Sequence, residues 1–106
     1  MRKADLIAGL FPEETQKLLE VFEKESSVDE VILYGSRAKG THRPGSDIDL
    51  TLKGAGLTMG QLMDISSNID DLLLPYRVDL SIFEHIDNPD LIDHIKRVGK
   101  VVFRHE

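Results

Sequence analysis

Two stretches of this chain, DIDLTLK at 47–53 and YRVDLSIF at 76–83, alternate polar and apolar residues one by one. Successive side chains on an extended strand point to opposite faces, so the pattern predicts strands with one face buried and the other bare. Ile48, Leu50 and Leu52 form the apolar face of the first, and Val78, Leu80 and Ile82 that of the second. The opposite faces are then fixed as well. Asp47, Asp49 and Thr51 share one, and Arg77, Asp79 and Ser81 share the other.

The rest of the chain supplies partners for such strands. EVILY at 30–34 reads as a buried strand and KVVFR at 100–104 as a short last one. PEETQKLLEVFEKE at 12–25 reads as a helix, with Pro12 at its start, acids in its first turn, and Leu18, Leu19 and Phe22 on one face. GAGLTMGQ at 54–61 is a turn, in which Thr58 and Gln61 form a capping box for the next helix. That helix carries Leu62, Ile65, Ile69, Leu72 and Leu73 as its stripe and stops at Pro75. Asn88 caps and Pro89 opens a last helix with Leu91, Ile92, Ile95 and Val98, ended by Gly99. With a helical turn after Gly35, the order is α, β, short α, β, α, β, α, β. There is no repeat, linker or low-complexity tract. The expectation is one domain, residues 1–106, of α+β (mixed α/β) class: a small mixed β-sheet with helices packed mainly on one face.

Composition narrows the function classes. With 41% apolar and 30% charged residues, the chain reads as an ordinary globular domain. It has no cysteine, which excludes disulfides and thiolate metal sites and fits the cytoplasm. No run of about 18 apolar residues suggests a membrane span. The start, MRKADLIAGLFPEE, is basic, but its apolar part is short and broken by Asp5, so it does not read as a signal peptide. A net charge of −6 argues against general nucleic-acid binding, which needs a basic face.

If the two alternating strands are neighbours, Asp47, Asp49 and Asp79 converge on one face. Carboxylates so placed repel one another unless a cation lies between them, and hard oxygen ligands favour Mg²⁺ or Mn²⁺ over zinc. Taken alone, Asp-x-Asp reads first as a solvated strand face. The loop ahead of it adds weight to the metal reading. In LYGSRAKGTHRPGSDIDL at 33–50, Arg37, Lys39 and Arg43 fall within seven residues of an otherwise acidic chain. Gly35 at the strand end allows close backbone approach, and a helical turn after it would aim free N–H groups outward. Ser36 adds a hydroxyl, and Arg37, Lys39, His42 and Arg43 add positive charge. The stretch reads either as a phosphate cradle or as a solvated surface loop. Phosphate, divalent metal and carboxylates together equip a site for phosphoryl or nucleotidyl transfer. Two other phosphate loops are excluded. GTHRPGSD lacks the Lys-Ser/Thr ending of a Walker A loop, and GAGLTMG has its third glycine one place late for a dinucleotide fingerprint.

Gly35-Ser36, ten residues, then Asp47-Ile48-Asp49, with Val78-Asp79-Leu80 further on, resembles the DNA polymerase β-type nucleotidyltransferase superfamily. The length, the wording YGSRAKG…SDIDL and the closing GKVVF are similar to its minimal nucleotidyltransferase (MNT) branch, the antitoxins of HEPN/MNT pairs; the resemblance runs from about residue 12 to the end. It implies the nucleotidyltransferase fold and a Mg²⁺-dependent transferase, with two ions and Mn²⁺ as an alternative. Gly35 and Ser36 would hold a nucleoside triphosphate, with Arg37, Lys39 and Arg43 near its phosphates. Asp47 and Asp49 would bind the metals. Asp79 would be the third catalytic carboxylate, as a metal ligand or as the base that takes the acceptor's proton. The reaction would move a nucleoside monophosphate, AMP from ATP or another NTP, to a hydroxyl on a HEPN-family partner. Larger relatives carry a second domain that grips the acceptor, and none is expected here. A vestigial antitoxin acting by contact and a small-molecule adenylyltransferase are the rival readings, and homo-oligomers are left open.

Other candidates are set aside. His42, His85, His94 and His105 read as surface or helix-flank residues, and Asp64, Asp70 and Asp71 as a solvated helix face. Tyr34 reads as core edge. Arg77 reads as an ion-pair partner of Asp79.

Overall fold

The computed structural model describes residues 7–105, and the basic opening segment read above as no signal peptide has its first six residues outside them. Helix α1 runs Pro12–Glu23, strand β1 Glu30–Tyr34, helix α2 Ser36–Lys39, strand β2 Ile48–Lys53, and helix α3 Met59–Asp70. Strand β3 follows at Val78–Ile82, then a 3₁₀ turn at Phe83–His85, helix α4 at Pro89–Val98 and strand β4 at Lys100–Arg104.

The two alternating strands are neighbours. The sheet order is β3-β2-β1-β4, with β2 and β3 parallel in the register Ile48↔Val78, Asp49↔Asp79, Leu50↔Leu80, Thr51↔Ser81 and Leu52↔Ile82. Both apolar sets therefore face one way and both polar sets the other. A parallel pair needs a crossover that spans the sheet, and α3 supplies it. Strand β1 pairs antiparallel with β2 and with β4, the latter through an irregularity at Val31/Ile32.

The helices start where the sequence provides acceptors for their orphan N–H groups. Thr58 Oγ1 accepts from Gln61 N–H at 3.2 Å and Gln61 Oε1 accepts from Thr58 N–H at 2.9 Å. Asn88 Oδ1 accepts from the N–H groups of Asp90 and Leu91. Leu18 and Phe22 of α1 and Ile65 of α3 join Val31, Leu33, Leu50 and Leu52 of the sheet in one fully buried core. Each such side chain contributes roughly 1.5–3 kcal/mol by leaving water.

Helix α4 is the exception that an arrangement mainly on one face allows. Ile32 alternates with Val31 and Leu33 and faces the other side of the sheet, where it is buried, as is Ile95 of α4. A side chain on Gly99 would strike the Ile95 carbonyl and Ile32, so the chain leaves α4 pressed against β1. The β2–β3 part of that face keeps Asp79 exposed.

Element ends shift slightly. Helix α1 stops at Glu23 rather than at 25, and Asp47 and Arg77 each stand one residue ahead of their strands. The larger correction is at the end of α3. The expected stripe through Leu72 and Leu73 breaks at Ile69, and Leu73 is 86% exposed with φ +56°. Pro75 disfavours helical geometry for the residue before it, so the chain unwinds earlier. Leu72 and Leu73 donate to Ile69 and Asp70, the tighter three-residue spacing of a closing turn.

Candidate active site

The strand register brings the predicted carboxylates together. Asp49 lies directly opposite Asp79 across β2 and β3, and Tyr34 of β1 lies opposite Asp49 on its other side. Asp47 is exposed at the entry to β2. Burial pushes the Asp49 carboxyl above the usual carboxylate range; the negative charges of Asp79 and Asp47 add to the rise, and His94 opposes it. Among the described residues no three histidine or acidic side chains gather as tightly as they do around a bound metal. The kind of donor nevertheless suits a hard divalent cation. The donors are carboxylate oxygens, and the repulsion of Asp79 and Asp47, second to burial in raising Asp49, is what a divalent cation there would relieve.

Gly35 is fitted against this cluster. Its φ of +76° and ψ of −155° belong to glycine. A Cβ built there would run into the Asp49 carboxylate. Helix α2 starts at the next residue, and its first internal bond is from Lys39 N–H to Gly35 C=O at 3.1 Å. The N–H groups of Ser36, Arg37 and Ala38 thus have no acceptor within their own helix. Lys39 and Arg43 are exposed beyond them.

Arg37 stands elsewhere than the sequence suggested. It is 2% exposed. Its Nε and Nη2 both donate to the Ser46 carbonyl, at 3.2 and 2.7 Å, and its Nη1 donates to the Ala8 carbonyl. The guanidinium lies 5.1 Å from the centroid of the Tyr76 ring. These contacts make it a clamp on the loop that leads into Asp47, and they engage donors that the phosphate reading required. The loop is shaped by its own turn: Ser46 N–H donates to Arg43 C=O at 2.9 Å, with Gly45 at φ +82°. Pro44-Gly45 in the middle of such a turn is a sequence signal for it.

Two residues set aside earlier belong to the site. Burial pushes the Tyr34 phenol pKa up, the Ser81 side chain opposes the rise, and the charges of Asp49 and Asp79 add to it. His94 Nε2 accepts the Gly35 N–H at 3.1 Å, and its ring meets that of Tyr34 edge-on at 6.1 Å. Its sequence signal was its place in α4: Leu91, His94, Ile95 and Val98 follow the spacing of a buried stripe. Thr51, placed on the bare face by alternation, is fully buried and bonded to Ser81 Oγ at 2.9 Å. Among the described residues no ion pair joins Arg77 to Asp79; the described pairs are Arg97–Asp93 and Arg104–Glu30. A cavity of about 760 Å³ lies at the far end of the sheet, beside Lys53, Glu84 and Arg104, and none of the predicted site residues lines it.

Residues 16–106 match the family model for polymerase beta, nucleotidyltransferase. No curated protein matches the sequence. The fold is similar to a chain of a toxin–antitoxin crystal structure with AMP-PNP, at 20% identity and TM-score 0.69, over 87% of this chain and 74% of that one. It is also similar to a chain in the complex of tri-AMPylated Shewanella oneidensis HEPN toxin with MNT antitoxin. There the identity is 17% and the TM-score 0.64, over 88% of this chain and 71% of the other. A chain of the MntA–HepT toxin–antitoxin structure gives 16% and 0.65, over 90% and 74%.

Proposed function

Because this chain belongs to the polymerase β nucleotidyltransferase family, we propose that it transfers AMP from ATP, with Mg²⁺, to a hydroxyl of a HEPN-family partner protein, acting as an antitoxin. The observation that carries the reading is the register of Asp49 against Asp79 with Gly35-Ser36 folded directly onto Asp49. It supports a site in which carboxylates, glycine backbone and the Ser36 hydroxyl would serve one triphosphate. The partner is inferred from the toxin–antitoxin structures of the same fold, one with AMP-PNP and one with an AMPylated HEPN toxin.

In this reading Asp47 and Asp49 would hold the divalent metal ions and Asp79 would complete the set. The bound metal supplies charge neutralisation of the triphosphate and of the departing pyrophosphate. The chain's own groups do the rest. Gly35 lets the backbone close on the phosphates, and the first-turn N–H groups and the Ser36 hydroxyl donate to them. Lys39 and Arg43 draw the polyphosphate in, while Arg37 holds the Asp47 loop in place. Asp79, exposed beside Asp49, would complete the metal site or take the proton from the acceptor hydroxyl. Soluble partner and wild-type protein with Mg²⁺ and ATP should give a partner heavier by AMP units in a mass spectrum. An unmodified partner that is nevertheless neutralised by the Asp49→Asn protein would favour an antitoxin that acts by contact.

A further inference from the structure

We propose that His94 is a positioning residue that holds the Gly35-Ser36 turn in its nucleotide-binding shape, an inference that rests on the transfer reading above. Glycine is the residue least able to hold a conformation by itself. Gly35 is nonetheless fixed at every group it has. Its carbonyl accepts Lys39 N–H and starts α2. Its missing side chain is replaced by the Asp49 carboxylate. Its N–H donates to His94 Nε2, 59 residues away in sequence and on a different element.

His94 is itself well placed to act as a fixed acceptor. It precedes Ile95, which is buried on the same face of the sheet as Ile32. Its ring rests at 80° to that of Tyr34, so the imidazole is held on the residue that ends β1, next to Gly35. Helix α4 thereby sets the direction of the Tyr34–Gly35 peptide, and that peptide sets where Ser36 and the first-turn N–H groups point. Without the acceptor the Gly35 N–H loses its partner, and the turn is free to sample other shapes.

The experiment compares His94→Phe with His94→Gln in the full chain. Phenylalanine keeps a ring against Tyr34 but accepts nothing. Glutamine carries an amide oxygen at a reach similar to Nε2. Mg²⁺·ATP affinity is measured by calorimetric titration, transfer kinetics by KM and kcat, folding by circular dichroism and thermal melting. The exchange rate of the Gly35 amide is followed by NMR. Loss of one acceptor should weaken nucleotide binding roughly tenfold in His94→Phe, with faster Gly35 exchange, while His94→Gln stays within about threefold of wild type. The loss should fall on KM more than on kcat. If His94→Phe does not fold, His94→Gln decides alone: near-wild-type affinity supports the strap, and a tenfold loss at an unchanged melting temperature overturns it. Wild type that binds nucleotide while folded His94→Phe binds equally well overturns this inference only. Wild type that binds no Mg²⁺·ATP overturns the transfer reading and this inference with it.

Discussion

Asp49 and Gly35 are in mutual contact: the carboxylate occupies the space where any side chain at position 35 would begin. The acid that would hold metal and the turn that would hold phosphate are therefore one packed unit. Gly35→Val meets two obstacles, a φ of +76° and the Asp49 carboxylate. Ser36→Ala would remove the one hydrogen bond proposed from its hydroxyl to phosphate, worth about 1.5–3 kcal/mol when made to a charged group. The expected order of damage to AMP transfer puts Gly35→Val above Ser36→Ala, with Asp47→Ala at least as severe as either. Labelled transfer by the three folded variants checks it. Wild-type transfer by Gly35→Val would remove the phosphate role from this turn.

Asp49→Asn should leave the metal-free fold intact and change its pH dependence. The folded-state pKa of Asp49 is raised. Between the ordinary carboxylate value and the raised one, the unfolded chain has released this proton while the folded protein keeps it. Stability therefore falls as pH rises through that window, and the loss is complete above the raised value. The asparagine variant does not ionise there. Melting temperatures without metal should show wild type declining over the window relative to Asp49→Asn, and Asp49→Asn at least equal to it at neutral pH. A variant that melts well below wild type at neutral pH would mark Asp49 as structural.

Metal removal should abolish nucleotide binding. In the proposed site the phosphates of ATP would meet Asp47, Asp49 and Asp79, and like charges exclude one another unless a cation bridges them. Calorimetry with Mg²⁺ should give binding, and with excess chelator none. Equal affinity in both would sink the metal-bridged site.

Arg37→Lys should destabilise the protein rather than act chiefly on phosphate affinity. Lysine retains the charge but cannot reach the Ser46 and Ala8 carbonyls together as the guanidinium does. The loss is expected at roughly 3 kcal/mol in a denaturant titration, the scale of charged hydrogen bonds given up by a buried group. Unchanged stability with weakened ATP binding would return Arg37 to the phosphates.

What was readable in the sequence was whatever depends on local period and local caps. The alternation of 47–53 and 76–83 fixed which residues share a face, and the parallel register then made neighbours of Asp49 and Asp79. Thr58, Gln61 and Asn88 announced their helices because a capping side chain lies within three residues of its partner. Arg37 was misread because charge was weighed without burial: its donors find acceptors 9 and 29 residues away. His94 was passed over for a related reason. Its partner lies 59 residues back, and one imidazole on a helix carries no pattern beyond its position in the stripe. Leu73 failed because a stripe of correct period does not tell where Pro75 begins to unwind it.

The most direct test of the account is to offer the partner ATP labelled at the α-phosphate and, separately, at the γ-phosphate. Nucleotidyl transfer joins the α-phosphorus to the acceptor oxygen and releases the β- and γ-phosphates as pyrophosphate. The account predicts labelling of the HEPN partner from α-labelled ATP only, dependent on Mg²⁺ and lost in folded Asp49→Asn. Label arriving from the γ-phosphate, or α-label transferred undiminished by Asp49→Asn, would contradict it.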